Sequence, residues 1–301
     1  MGRSVDEKYL CGVFWFVLSL AACQINDVAM KILSIRLNPI QTTFLRFACA
    51  VLVLLPFLAS AGPARFRSTR PLLHLFRGGT LFAATACWCA GLRHAAMPTA
   101  VLISFSMPLI LLVFARIFLR EQVSAWRWVA TAIGFLGIVF AVGSTGLDFF
   151  RWTAIPLLLS ATFFAALDVL NRRYAHTESL WAMIFYGSLW TAVFSAWPAI
   201  GRWTAPNAYE WLLAVLLGIG ANVLLYCLMR ALRLIEASAT APYRNIEFLF
   251  SLLFSYVFFG EIVDRSTILA AAIVIPVTLA LAIHEARSGG GAGTEHFHSC
   301  C

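Results

Sequence analysis

Charge is scarce in this chain. Of its 301 residues only 12% are Asp, Glu, Lys or Arg, about half the roughly 25% found in soluble globular domains. Twenty-two basic and 14 acidic side chains cannot coat a water-facing surface of this size, which excludes two ordinary soluble domains. Catalytic signatures are missing too: there is no HExxH, no GxSxG, and no cluster of His and carboxylates at one depth. His74, His94, His176 and His284 fall at the ends of apolar segments and read as interfacial residues. Neither an enzyme nor a bound metal or cofactor is expected, and no residue is assigned a catalytic role.

What the chain has instead is hydrocarbon. Apolar residues make up 61% of it, with 25 Phe, 10 Trp and 7 Tyr. Residues 9–26, 47–64, 95–115, 128–147, 179–201, 211–229 and 266–283 carry no charged side chain. Each approaches or exceeds the roughly 18–20 residues that carry a helix across a hydrocarbon core. Three more spans, about 72–92, 152–171 and 236–259, are shorter or interrupted by charge. The expected fold is an all-α membrane protein of ten transmembrane helices with short connections, and the lipid bilayer is its first partner.

The basic residues orient it. With a cytoplasmic N-terminus, 14 Lys and Arg fall on the inner side and six on the outer, leaving Arg46 and Arg244 within the membrane. By the positive-inside rule both termini are cytoplasmic. The net charge of +8 follows from that asymmetry, and nucleic acid need not be invoked. Cys11, Cys23, Cys49, Cys87, Cys89 and Cys227 sit in apolar segments as small hydrophobes. Cys87 and Cys89, two apart, face different sides of a helix. The first apolar segment is too long for a cleavable signal. Residues 285–301, Gly-rich and ending Glu295-His296-Phe297-His298-Ser299-Cys300-Cys301, read as a disordered cytoplasmic tail whose metal-ligand types are incidental.

The chain is written twice. An offset of 140 aligns 91–133 with 231–273 without a gap, matching Arg93 to Arg233 and Glu121 to Glu261. An offset of 141 pairs Asp27 with Asp168 and Lys31 with Arg172. Two five-helix repeats result, 10–143 and 152–284. Five is odd, so the second is inverted. The inner loop after the fourth span holds Arg116, Arg120 and Arg127 around Glu121, whereas the matching outer loop, Glu261-Ile262-Val263-Asp264-Arg265, has shed most of its basic residues. Inverted repeats are the architecture of secondary transporters.

Ionisable groups inside the membrane are expensive and mark function. Arg244 and Glu247 lie in the ninth span, three residues apart and so on one helix face, beside Pro242, which removes a backbone donor. Arg46 lies in the second span. Asp27 and Asp168 occupy equivalent ends of the first and sixth spans, each four residues before a base. The plain alternatives are intrahelical pairs, Asp27–Lys31, Asp168–Arg172 and Arg244–Glu247, that only neutralise themselves. Three acids against two arginines leave the interior at −1, which suits a ligand of net charge +1. Tyr243, Trp88, Phe105, Trp181, Tyr186, Trp190 and Tyr226 are able to stack on a planar ring or a cation, and of these Tyr243 adjoins the charged pair.

Phe118-Leu119-Arg120-Glu121, Phe259-Gly260-Glu261 and Arg46-Phe47 resemble the EamA-type, ten-helix members of the drug/metabolite transporter superfamily; Arg120 stands where glycine is usual before that Glu. Within the superfamily the chain is similar to the S-adenosylmethionine uptake carriers of obligate intracellular bacteria, over about residues 10–285. This likeness rests on Asn26-Asp27-Val28 with Lys31, Arg70-Pro71 through His74 to Arg77-Gly78, and Ser104-Phe105-Ser106-Met107-Pro108. It also rests on Thr240-Ala241-Pro242-Tyr243-Arg244 with Glu247, and on Ser266-Thr267 leading to Ile275-Pro276. The resemblance implies a bacterial inner-membrane carrier that imports S-adenosylmethionine, net +1, and exchanges it for S-adenosylhomocysteine. It further implies that Glu247 meets the ammonium, Arg244 or Arg46 the carboxylate, and Tyr243 or Trp88 the adenine or sulfonium, with Asp27 or Asp168 completing the negative field. An EamA-type exporter of amino acids or other metabolites is the alternative. Oligomeric state is not encoded in any of these features.

Overall fold

The computed structural model describes residues 2–34, 36–62, 66–68, 70–94, 103, 106–143 and 154–259, with 272, 276 and 280 singly. Structural statements below concern these residues. The rest of the tenth span, the tail and Phe105 lie outside them.

The described chain is helical. The helices are α1 (Gly2–Ser34), α2 (Pro39–Ala61), α3 (Pro71–His94), α4 (Met107–Phe114), α5 (Ala125–Gly143), α6 (Ala154–Tyr174), α7 (Leu180–Ile200), α8 (Ala208–Leu234), the one-turn α9 (Ala237–Thr240) and α10 (Ile246–Phe259). A π turn, Ala115–Leu119, extends α4, and a 3-10 turn, Pro242–Asn245, joins α9 to α10. Five stretches are long and apolar enough to cross a membrane: Glu7–Met30, Pro39–Ser60, Ile155–Tyr174, Leu180–Ile200 and Ala208–Leu234. The ninth span, expected as one helix, is thus broken in three.

Local chemistry sets the boundaries. Asn38 caps α2, its Oδ1 accepting from the Ile40 N–H at 3.0 Å, with Pro39 in the first turn where its missing N–H costs nothing. Asn207 and Glu210 form a reciprocal capping box at the start of α8, satisfying two donors that a helix end leaves open. Arg36 ties that box to the α1–α2 connection through a salt bridge with Glu210. Within the helices, Thr85, Thr191 and Ser195 donate to carbonyls three or four residues back. No hydroxyl among these three is left unpaired away from water.

Apolar residues line both the inside and the outside. Phe16, Leu20, Leu111, Leu112, Met183, Ile184, Met229 and Leu232 fill the main core, while Trp197, Phe76, Leu72 and Ile200 stand exposed on the rim. A soluble protein rarely shows so many large apolar side chains on its surface. A membrane protein does, because lipid receives them.

The helices pair in a pattern that survives exchange of the two halves. α1 packs on α8 as α6 packs on α3, α2 meets α7, α2 packs on α8 as α7 packs on α3, and α1 meets α10 as α6 meets α4. Two close approaches repeat the pattern at single residues. A Cβ on Gly78 of α3 would fall 2.2 Å from the Trp190 Cβ of α7, and one on Gly218 of α8 would fall 2.6 Å from the Ala50 nitrogen of α2. Gly78 and Gly218 are 140 apart; Trp190 lies 141 beyond Cys49, which also crowds Gly218 at 2.8 Å.

Candidate functional site

The intramembrane charges gather where the ninth span breaks, and they do not pair as their spacing suggests. Arg244, in the 3-10 turn, reaches across to α6 and forms a salt bridge with Asp168. Its guanidinium carbon lies 5.5 Å from the centre of the Phe16 ring on α1. Glu247, in the first turn of α10, turns instead to α1, where its Oε1 accepts from Gln24 Nε2 at 3.1 Å. The intrahelical Arg244–Glu247 and Asp168–Arg172 pairs are therefore replaced by contacts between helices. The side chain of Lys31 is outside those described.

Asp27 joins Glu247 from α1. Ligand atoms of Cys23, Asp27 and Glu247 all lie within 4.8 Å of one another, and the Cys23 thiol donates to Asp27 at 3.8 Å. Cys23 and Gln24 precede Asp27 by four and three residues, the spacings that put each beside it on the helix surface. Two carboxylates at this distance repel wherever water cannot screen them. The place is built for positive charge.

Arg46 borders the same α1 face from α2. Its NH1 donates to the Met30 sulfur at 3.1 Å, one turn beyond Asp27. Among the described residues its Nε has no hydrogen-bond partner, and a thioether is a weak acceptor for a guanidinium. Arg244 is paired with Asp168; among the described residues Arg46 forms no salt bridge. Both arginines keep an unpartnered Nε among the described residues, but only Arg244 is held by a carboxylate.

The aromatic candidates divide. Tyr243 is 2% exposed, packs in the core with Phe16, and its hydroxyl lies 3.2 Å from that of Tyr9. In this conformation it anchors the break. Trp88 is half-buried on α3, beside Cys89, whose sulfur lies 3.9 Å from Thr43 Oγ1 on α2. Trp181 and Tyr226 make a tilted contact, with Trp15 edge-on to Tyr226, and pack against the same core.

Gln24 and Cys23 were not among the residues the sequence singled out. Their signal was the turn before Asp27, a polar and a thiol side chain on the acid's own face. Arg77, near the inner end of the third span, is 3% exposed. It donates to Asn171 of α6 at 2.9 and 2.6 Å and to the Met183 carbonyl of α7 at 3.0 Å, so its donors are engaged as a tie between three helices.

Comparison with known proteins places this geometry. A model described as the EamA-like transporter family matches residues 10–143 and again 151–283. The S-adenosylmethionine uptake transporter of Rickettsia conorii is 37% identical over 282 residues, 94% of this chain and 96% of its own. The riboflavin transporter of Rhizobium johnstonii is 26% identical, covering 93% of this chain and 94% of its own. A crystal structure with 20% sequence identity superposes with a TM-score of 0.77 over 94% of this chain and 98% of that one, a likeness of fold.

Proposed function

The chain belongs to the EamA-like transporter family, and on that premise we propose that it imports S-adenosylmethionine across the bacterial inner membrane. It is a multi-pass membrane transporter and not an enzyme. The observation that carries the substrate reading is the approach of Asp27 to Glu247 within 4.8 Å, with Arg46 bordering the same face of α1. S-adenosylmethionine presents an ammonium, a sulfonium and a carboxylate. Glu247 takes the ammonium, Asp27 faces the sulfonium, and Arg46 takes the carboxylate as a planar fork. Trp88 and Phe105 remain the candidates for the adenine ring. Asp168 and Arg244 hold the broken span in place, and with their charges cancelled the remaining −1 is matched by a ligand of +1. The Rickettsia conorii relative, at 37% identity, supports the same substrate.

The mechanism proposed is alternating access between two inverted repeats, 10–143 and 152–284, with both termini cytoplasmic. Support comes from the double family match and from helix packing that survives exchange of the halves. A span interrupted at the site, as at Pro242, is how such carriers line a midplane cavity with backbone. S-adenosylhomocysteine lacks only the charged methyl, fits the same groups more weakly, and leaves in exchange.

The test is uptake of radiolabelled S-adenosylmethionine into proteoliposomes, with and without S-adenosylhomocysteine inside. Saturable uptake, faster with the preload, is expected. Uptake indifferent to the preload overturns exchange, and none above empty liposomes, from protein shown to be folded, overturns the substrate.

A further inference from the structure

A second charged assembly lies away from the site and is not used by the substrate reading. Glu121 follows the π turn of α4, at an offset of 140 from Glu261, and faces the start of the ninth span. Its Oε1 accepts from the Ala237 N–H at 3.1 Å and its Oε2 from the Ser238 N–H at 2.9 Å. Arg172 of α6 brings its Nε to 3.8 Å from the same carboxylate and donates to the Leu232 carbonyl at the end of α8. Arg127 of α5, 2% exposed, donates to Glu236 at 2.5 Å and to the Ser238 hydroxyl at 2.7 Å. Side chains of the first half thus grip residues 236–238 of the second.

The gripped segment leads directly to the site. Tyr243, Arg244 and Glu247 follow Ser238 by five to nine residues, roughly 10 Å along the span at ~1.5 Å per residue. Between them Thr240 is fully buried, so water does not reach the span at this point in the structure. The grip is polar throughout. It is strong when made, because its bonds are charge-assisted, yet the N–H groups it releases at a helix start are ones that water serves equally well. Apolar packing has no such substitute. The Arg77–Asn171–Met183 tie, buried among three helices, holds the molecule together.

We infer that Glu121 is a positioning residue that holds the cytoplasmic route to the site closed, and that transport requires its grip on Ala237 and Ser238 to open once in each cycle. The inference rests on the transporter reading and on the proposed cytoplasmic side, but not on the identity of the substrate.

Thr240→Cys reports the state of the route. In vesicles of the full-length protein, its labelling by a membrane-impermeant maleimide is measured from each side, above the rate of the parent. With Glu121 present, labelling is slow from both sides. With Glu121→Ala it rises at least about tenfold from the cytoplasmic side alone, as expected when a population is shifted by losing two charge-assisted bonds. Arg127→Glu raises it likewise, and adding Glu236→Arg returns it toward the parent rate, a rescue that a general loosening of the fold does not give. If Glu121→Ala fails to fold, Glu121→Gln keeps the shape and removes the charge facing Arg172. An unchanged rate in the folded Glu121 variants, or a rise from the outer side, overturns the gate. Uptake by the wild type tests the substrate separately, so the two failures are distinguishable.

Discussion

Arg244 pairs with Asp168 on α6 and not with Glu247, three residues along its own chain. The pair joins the break in the ninth span to the second half's first helix and removes one charge of each sign from the interior. Removing one partner of a buried pair strands the other, at a cost of about 3–5 kcal/mol. Asp168→Asn is therefore expected to lower the unfolding temperature of the purified protein in detergent, and Asp168→Asn with Arg244→Gln to recover most of the loss. A single variant as stable as the wild type contradicts the pairing.

Glu247 behaves in the opposite sense. It stands with Asp27 as one of two like charges within 4.8 Å, so neutralising it relieves repulsion. Glu247→Gln should abolish uptake while leaving thermal stability equal or higher. Loss of stability together with uptake would make Glu247 a structural residue, and wild-type rates would remove it from the site.

These opposite expectations mark how far the sequence reaches. The intramembrane charges Asp27, Arg46, Asp168, Arg244 and Glu247 are legible as such, because an ionisable side chain in a long apolar run has few innocent reasons to be there. Their partners are not legible. Spacing along one helix suggests Arg244–Glu247, whereas the break around Pro242 sends the two side chains to different helices. Gln24 and Cys23 escape notice because an amide and a thiol in an apolar run look ordinary until Glu247 is brought across from another span. Arg77 falls within the third span, about 72–92, but its ties to Asn171 and Met183 on α6 and α7 are contacts between helices that hydropathy does not record.

Arg120 takes a left-handed conformation, φ +56° and ψ +28°, that costs a residue with a Cβ about 1–2 kcal/mol. It does so to turn the chain out of the π turn and aim Glu121 at the ninth span, and Gly260 stands at the matching place in the second half. Arg120→Gly should raise stability by about 1 kcal/mol, read from thermal unfolding, with uptake retained. A drop in stability would mean that the Arg120 side chain contributes more than its backbone costs.

Gly78 and Gly218 let the halves approach at related places, α3 on α7 and α8 on α2. The atoms crowding each position are Cβ and backbone, which cannot swing aside. Gly78→Ala and Gly218→Ala are each expected to destabilise by about 1–3 kcal/mol, the usual cost of overpacking. Similar losses at both fit a repeated interface. A tolerant Gly218 beside an intolerant Gly78 would break the equivalence.

In the proposed binding mode, Asp27 and Glu247 together receive a ligand with two positive groups. This mode is tested most directly by calorimetric binding of S-adenosylmethionine and S-adenosylhomocysteine to the purified wild type and to Asp27→Asn. The wild type should prefer the charged sulfonium by at least about tenfold, a difference of ~1.4 kcal/mol, and Asp27→Asn should bring the two affinities together chiefly by weakening S-adenosylmethionine. Equal affinities in the wild type, or a preference that survives Asp27→Asn, would contradict it.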